Sequence, residues 1–540
     1  MKKFTVLLIM ALLISAGLLA DGTKPIGDGS EFNPYQVATL DNLLWISTNT
    51  LTGFTYIIQT ADIDATDTEN WNDGEGFNPI GGELVSFVGY YNGDGHSIFN
   101  LFITRHTSEY QGLFGKISGS TIENLTLENF HIVGLKYVGG LAGYCYGSTI
   151  INCASENIFV RGNHRVGGLI GEMYEYSGSR GSSSILFSHS TGTIDGYGDY
   201  CAGLVGCNDN TLIKNCFTNM ESVTGDNFVG GLVGRNRHGS IITNCRSIAE
   251  INGEEFVGGL VGENAYASTI SECYSMGNII ADTRVGGLVG RNIYNANISN
   301  CYSTANVVCN VSYGGGFVGL TTTDCTISNC YSVGLVFGIW AGGFGGGCTS
   351  DCENNFWDIE TSGRSDGLYA GINLNITGKA HEEMLNVSTF TDTTTVGLYL
   401  SWDFVGNPFN DNENEDIWDI DGITNNGYPF LVDSVITFVD EVTTELLRMS
   451  LLKDNYPNPF NSTTTISFSL QEKSMVCLAI FNFKGQKIRT LTNKHYSKGN
   501  HSVIWNGKDD NNLSVSPGLY FYKLNVNLKS ISVKKCLFLN

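Results

Sequence analysis

Proline and charge are both scarce in this chain. It has 8 prolines among 540 residues, and charged side chains make up only 15%. A hydrophobic fraction of 42% at that low charge excludes a solvated, disordered chain. Little proline beside 67 glycines excludes collagen and proline-rich spacers. Basic residues are few: 30 Lys and Arg stand against 53 Asp and Glu, a net charge of −23. Binding to nucleic acid through its phosphates needs clustered basic side chains, so no nucleic-acid partner is expected. No Cys-x-x-Cys pair occurs and histidine is not near the cysteines, which argues against a zinc site. Beyond the N-terminus, no apolar run is long enough to cross a bilayer as a helix.

What is present begins with a secretory signal. Lys2 and Lys3 precede an apolar run at 4–19, and Ala20 offers a small residue for cleavage before Asp21. Length alone implies three or four units at about 150 residues each. Charge places one boundary. Residues 448–540 carry 13 Lys and Arg against 4 Asp and Glu, while 21–447 carry 15 against 49. A change of that size marks a new domain.

The main signal is an internal repeat. VGGLVG recurs at 229–234, 257–262 and 285–290. Its leucine column runs Leu113, Leu141, Leu169, Leu204, Leu232, Leu260 and Leu288, then Phe317 and Phe344. The usual step is 28 residues, with one step of 35 around an insertion near Tyr176. A second column runs Leu125, Cys153, Ser188, Cys216, Cys245, Cys273, Cys301 and Cys330, each with Ile three places earlier. Three short apolar segments per unit, with turns of Gly, Asn and Ser between them, describe one coil of a β-solenoid. The expected fold is therefore all-β: a parallel β-helix, right-handed by the usual crossover rule. A propeller or sandwich is the alternative, but a blade needs about 40–50 residues.

Other columns follow from stacking at about 4.8 Å. Asn208, Asn236, Asn264 and Asn292 would hydrogen-bond from coil to coil. Arg235, Glu263 and Arg291 would place one carboxylate between two guanidinium groups. The paired glycines remove side chains where backbones turn or pack closely. Thirteen of the 15 cysteines lie at 145–352. Those in the column read as buried free thiols, since Leu125 and Ser188 share their position. Disulfides between successive coils remain an alternative. Off the column, Cys201/Cys207, Cys309/Cys325 and Cys348/Cys352 are the better disulfide candidates. A solenoid must hide its ends. LDNLLWI within 37–47 fits a short helix over the first coil, and the aromatic-rich segment 349–435 reads as a last coil and cap.

The repeats at about 110–350 resemble the GLUG family, named for its Gly-Leu core and found in bacterial surface proteins, including IgA-cleaving metallopeptidases. The resemblance implies a β-helix and a surface location, with no single activity. After a linker at 436–450, NYPNPFN at 455–461, a series of short alternating segments and PGLYFYKL at 517–524 indicate a small β-sandwich. These strings resemble the type A C-terminal sorting domain of type IX secretion, related to the Ig-like domain of flagellar hook-capping proteins. Lys534 and Lys535 fit its usual ending, and Cys536 departs from it. That resemblance implies a gram-negative cell, periplasmic transit, handling of 451–540 by the outer-membrane type IX machinery, and release or attachment outside. The expected organisation is a signal at 1–20, an N-terminal cap and first coils at 21–109, the solenoid at 110–348, the C-terminal coil and cap, the linker, and the Ig-like domain.

Candidate chemistry is thin. HEEML at 381–385 begins like a zinc-peptidase motif, but Leu385 stands where the second His is needed. GGGFVG at 314–319 matches a dinucleotide fingerprint only as a repeat copy, without its βαβ context. Asp411, Glu413, Glu415, Asp419 and Asp421 form a weak calcium candidate, weighed against a solvated acidic loop. No cofactor is implied. If each column cysteine points inward, the next residue points outward. That gives Phe217, Arg246, Tyr274, Tyr302 and Tyr331, an aromatic stripe able to stack on sugar rings or on a partner protein. Such a stripe equally serves strand stacking alone. The expectation is a secreted or surface-displayed, non-catalytic, adhesin-like β-helix that binds glycan or a surface protein of a host or neighbouring cell. The alternatives are a polysaccharide lyase or hydrolase, and a purely structural rod.

Overall fold

A computed structural model of the chain describes residues 22–432 and 455–539, apart from 50, 52, 177–182, 323, 350, 372–374, 407–415, 456, 471–472, 483–486, 511 and 527–528. The signal at 1–20 and the linker at 436–450 lie outside the described residues. The chain divides into two compact units, 1–434 and 435–540.

The first unit is the parallel β-solenoid, with about nine turns of some 28 residues. One coil shows the plan. Val233–Arg237, Ile241–Thr243, Arg246–Asn252 and Glu255–Gly258 follow one another. They pair in parallel with the next coil, Val233 opposite Val261, Ile242 opposite Ile270, Ser247 opposite Ser275 and Val257 opposite Val285. A coil thus has four strand segments, one more than the expected three. VGGLVG is two strand ends meeting at a corner. Gly231 sits at that corner, where a Cβ would come within 2.1 Å of the Ser247 hydroxyl and 2.2 Å of the Gly259 carbonyl oxygen. Only a residue without a side chain lets successive corners nest so closely.

One strand from each coil builds a separate ten-stranded sheet, from Phe114–Ser118 to Leu368–Gly371, here called the second sheet. The other segments form the main sheet. Between them the leucine column is fully buried, and it ends on Phe317 and Phe344, whose rings stack at 4.8 Å. The helix Leu40–Thr48, capped by the Thr39 hydroxyl, adds Leu43 and Ile46 to the same core.

The expected columns pair as ladders. Asn208, Asn236, Asn264 and Asn292 donate amide to amide at 2.8, 2.9 and 2.9 Å. A second asparagine ladder lies just before the cysteines. Asn215, Asn244, Asn300 and Asn329 adopt left-handed φ of 50–56°. Asn244 donates to Asn215 at 3.0 Å and Asn329 to Asn300 at 3.2 Å. Asparagine tolerates that backbone better than most residues.

The cysteine column is buried and does more than fill space. Cys245, Cys273 and Cys301 each accept, through sulfur, the backbone N–H of the preceding column cysteine at 3.4 Å. Each thiol also donates to the carbonyl two residues earlier, as Cys273 does to Ser271 at 3.0 Å. Ser188 makes the same pair of bonds, from Cys153 N–H at 3.1 Å and to Leu186 O at 2.9 Å. From Cys153 to Cys301 the position therefore holds a small group that both accepts and donates, a finer rule than small or apolar, while Leu125 in the first repeat only packs. Burial pushes the Cys153 thiol up to about 12, so it stays a donor.

Residues 380–406 and 416–431 do more than close the end of the solenoid. After Ile376–Lys379 pairs with the last coil, they fold back along the main-sheet flank. Met384, Phe390, Trp402, Phe404, Trp418 and Tyr428 form one apolar cluster with Tyr274, Tyr302, Tyr331 and Phe356, residues from four successive coils. His381 pins this cover. Its Nδ1 lies 3.0 Å from Asp358 Oδ2 and 2.8 Å from Tyr428 Oη.

The second unit is a small antiparallel sandwich. Thr464–Leu470 pairs with Gly499–Trp505. Ser474–Asn482 lies between Lys487–Tyr496 and Gly518–Val526, and Lys529–Phe538 forms the far edge. Ile466, Leu478, Ile480, Trp505, Tyr522 and Leu524 fill its core. Asn455 ties the entry segment down, its N–H donating to Tyr522 Oη at 3.0 Å and its amide to Thr464 Oγ1 at 2.8 Å.

Candidate functional site

The column expected to form an exposed aromatic stripe does point outward, but most of it is covered. Tyr274, Tyr302 and Tyr331 stack at 4.8 and 5.1 Å and are 8%, 1% and 0% exposed. The reason is the 380–431 cover. Trp418 packs on Tyr302 and Tyr331, while the Tyr331 hydroxyl bonds the Pro429 carbonyl and accepts from Asn425 at 2.7 Å. Strand alternation fixed the direction of these side chains, not their exposure. Phe217 stacks on His189 at 4.6 Å, and the Arg246 guanidinium lies 5.0 Å above Phe217. Both are half-buried.

Of the calcium candidate, Asp411, Glu413 and Glu415 lie outside the described residues. Asp419 Oδ1 accepts the Ile420 N–H, and Asp421 Oδ1 accepts those of Ile423 and Thr424, all at 2.7 Å. These are turn-capping bonds. Among the described residues no group of three or more His, Cys, Asp or Glu side chains is placed to hold a metal ion.

A different face holds the more open arrangement. Immediately before each Val-Gly-Gly, or its equivalent, stands a residue in the left-handed region. Tyr110, Tyr137, Arg165, Tyr200, Phe228, Phe256, Arg284 and Tyr313 have φ of 53–62°. Bulky side chains seldom accept that backbone, which costs about 1–2 kcal/mol each. Stacking offsets the cost. Tyr110 and Tyr137 stack at 4.8 Å, and Tyr200, Phe228 and Phe256 at 4.9 and 4.8 Å. Arg165 bridges Tyr137 and Tyr200 at 5.1 and 5.5 Å, and Arg284 bridges Phe256 and Tyr313 at 5.1 and 5.9 Å. One ladder of rings and guanidinium groups thus borders the second sheet.

Beside it, register sets Lys116, Tyr144, Glu172, Cys207, Arg235, Glu263 and Arg291 in one outward row. The expected charge ladder is here: Arg235 Nε donates to Glu263 Oε1 at 2.6 Å, and Arg291 bonds the other oxygen of the fully buried carboxylate. Toward the N-terminal coils the row opens into a cleft of about 340 Å³ lined by Tyr110, Lys116, Tyr137, Tyr144, Glu172, Tyr174 and Arg237. Tyr144 stands edge-on to Tyr110 and Tyr137 at 6.2 and 5.7 Å. Lys116 Nζ lies 4.7 Å above the Tyr110 ring. Exposed Tyr146 stacks on Tyr174 at 5.9 Å at the rim. Glu172 is the one carboxylate of the lining. Burial pushes its pKa up against the pull of Arg165, 3.0 Å away, and Arg237, 3.8 Å away. Arg237 is held in turn by Asp209 at 2.8 Å.

Aromatic faces and edges beside fixed donors and an acceptor suit a ligand with apolar C–H faces and a hydroxyl rim. Sequence reasoning missed this cleft. The signal was available in the aromatic or arginine residue preceding Val-Gly-Gly at 137, 165, 228, 256 and 284, but its meaning depends on backbone conformation.

The architecture defines a class of protein in which a parallel β-solenoid is followed in sequence by a small antiparallel domain. Comparison with protein families gives both parts a relation. Residues 281–308 match the GLUG motif, and residues 454–538 match the secretion system C-terminal sorting domain. The sorting domain marks the chain for the type IX machinery and for export to the cell surface or extracellular space. Among curated proteins the chain is 39% identical over 117 residues to "Halomucin" of Haloquadratum walsbyi, and 30% identical over 129 residues to "Putative Gly-rich membrane protein" of Evansella cellulosilytica. Those matches cover 21% and 24% of this chain, but 1% and 15% of the relatives.

Proposed function

We propose that this protein is an exported, non-catalytic glycan-binding protein of adhesin type, and that the tyrosine cleft of the second sheet is its binding site. The observation that carries this reading is the cleft itself, four tyrosines around Lys116, Glu172 and Arg237. Tyr144 and Tyr174 would stack on sugar faces, and the charged groups would bond the hydroxyls. Hydrolysis by the usual pair of carboxylates finds one in the lining, already tied to two arginines, so binding is favoured over cleavage. Phe217 and Arg246 form a minor second contact in this reading, while Tyr274, Tyr302 and Tyr331 serve the cover.

The test is affinity electrophoresis of the purified protein through gels embedding a panel of polysaccharides, with the same gels then stained for clearing. Retardation without clearing on at least one polysaccharide is expected, and Tyr144→Ala should weaken it about two- to tenfold, since one aromatic stacking contact is worth about 0.5–1.5 kcal/mol. Clearing would make the protein an enzyme. Retardation unchanged by Tyr144→Ala would move the site elsewhere, and no retardation at all would leave a structural rod or a protein binder.

A further inference from the structure

Two inward columns meet at one corner of each coil. The buried asparagine ladder runs Asn236, Asn264, Asn292, and register continues it to Thr321 and then Cys348. The isoleucine column runs Ile270, Ile298, Ile327, and register continues it to Cys352. In the preceding coils the isoleucine stands six places after the first column, as Asn236/Ile242, Asn264/Ile270 and Asn292/Ile298 show, against four from Cys348 to Cys352. In the coil that begins at Gly345 the turn is two residues shorter, and both columns hold cysteine. The shortened corner turns the side chains onto each other. Cys348 Sγ lies 3.0 Å from Cys352 Sγ, and both residues are 2% exposed. Even carbon atoms rest about 3.5–4.0 Å apart in contact.

The other candidate pairs do not meet this way. Cys309 Sγ lies against the Asp282 carbonyl in the main sheet, and Cys325 Sγ against the Asn292 carbonyl in the second. Cys201 is buried behind Gly196 and Gly225, while Cys207 faces outward in the row of Glu172 and Arg235. The column cysteines bond the carbonyls two residues before them.

We infer that Cys348 and Cys352 are joined by a disulfide in the exported protein, a staple across the shortened corner near the C-terminal end of the solenoid. The oxidant is a disulfide-bearing thiol oxidant of the kind met outside the cytosol. One cysteine, as thiolate, attacks the oxidant's S–S bond, which breaks and leaves a mixed disulfide. The second cysteine displaces the oxidant's remaining sulfur. The protein loses two electrons and two protons, and the oxidant leaves as two thiols. The staple forms once the coil has folded, because register along the two columns brings the sulfurs together.

The test uses full-length protein collected from the culture medium, denatured with iodoacetamide and no reductant, then cut with chymotrypsin. Cleavage after Phe344 and Phe356 releases residues 345–356, whose cysteines are Cys348 and Cys352 alone. The peptide is expected without label and two hydrogen masses lighter than its reduced form, and it takes two labels only after reduction. Cys273 and Cys301 should take label without reduction in the same digest. A 345–356 peptide that carries two labels before reduction overturns the inference, as does either cysteine linked to a third.

Discussion

Two outward ladders run along the same solenoid and meet opposite fates. On the main sheet, His189, Phe217, Arg246, Tyr274, Tyr302 and Tyr331 stack from coil to coil, and the far end vanishes beneath 384–404 and 417–431. Bordering the second sheet, the ladder from Tyr110 to Tyr313 puts its first two rings, Tyr110 and Tyr137, on the wall of an open cleft. The residue types are alike. What differs is the neighbouring surface. Around Tyr331 it is Tyr302, Val333 and Phe356, so an apolar segment can dock. Around Tyr137 it is Lys116, Glu172, Arg165 and Arg237, whose desolvation would oppose an apolar cover. A repeat therefore decides which side chains face outward, and the charges interleaved among them decide which stay open.

The largest effect is expected where the covered ladder is broken. Tyr331→Ala removes a fully buried ring between Tyr302, Trp402, Trp418 and Tyr428 and should cost about 3–5 kcal/mol. Urea denaturation followed by tryptophan fluorescence reads this, and limited proteolysis should cut 380–431 first. The matching truncation on the open face, Tyr144→Ala, should change stability by no more than about 1 kcal/mol. Equal costs at the two sites would erase the distinction between covered and open ladders.

The contrast also explains what the sequence reveals. Contacts one coil apart repeat at 28 residues, so the asparagine amides, the Arg235–Glu263–Arg291 ladder and the leucine core can all be read from spacing. The cover cannot. Trp418 meets Tyr331 across 87 residues with no period to announce it, and alternation says outward without saying exposed. The left-handed ladder hides for another reason: Tyr, Phe and Arg share its position, and only the backbone conformation unites them. Two of the five calcium candidates, Asp419 and Asp421, look like oxygen donors in sequence but are engaged by backbone N–H groups in turns.

A middle-sized effect sharpens the inward counterpart. If the cysteine column only filled space, Cys273→Ala would be milder than Cys273→Ser. The bonds in the structure reverse that order. Alanine leaves the Cys245 N–H without its sulfur acceptor in a buried site, at about 1–3 kcal/mol. Serine reproduces the arrangement already present at Ser188 and should cost under about 1 kcal/mol. Urea midpoints of the two variants decide the matter, and a more stable alanine variant would return the column to simple packing.

The smallest effect separates the two faces by the sign of their pH dependence. Burial works against the Asp358 carboxylate, but the Thr361 N–H, the Tyr428 hydroxyl and His381 outweigh it and hold the pKa below the usual value. A lowered carboxyl pKa stabilises above its unfolded value of about 3.9, and that stability is lost as pH falls through the folded value. Glu172 is the opposite case, since burial raises it despite Arg165 and Arg237. Its contribution is complete below the unfolded value of about 4.3 and is lost as pH rises through the raised folded value. Acid should therefore loosen the cover while favouring the cleft. Against wild type, Asp358→Asn should flatten the loss of cover protection below about pH 4, read by proteolysis of 380–431. Glu172→Gln should flatten the loss of global stability on the rise above about pH 4.3, read by urea midpoints. Parallel pH curves for the two variants would mean that cover and cleft are set by the same electrostatics, and the difference between the faces would then rest on packing alone.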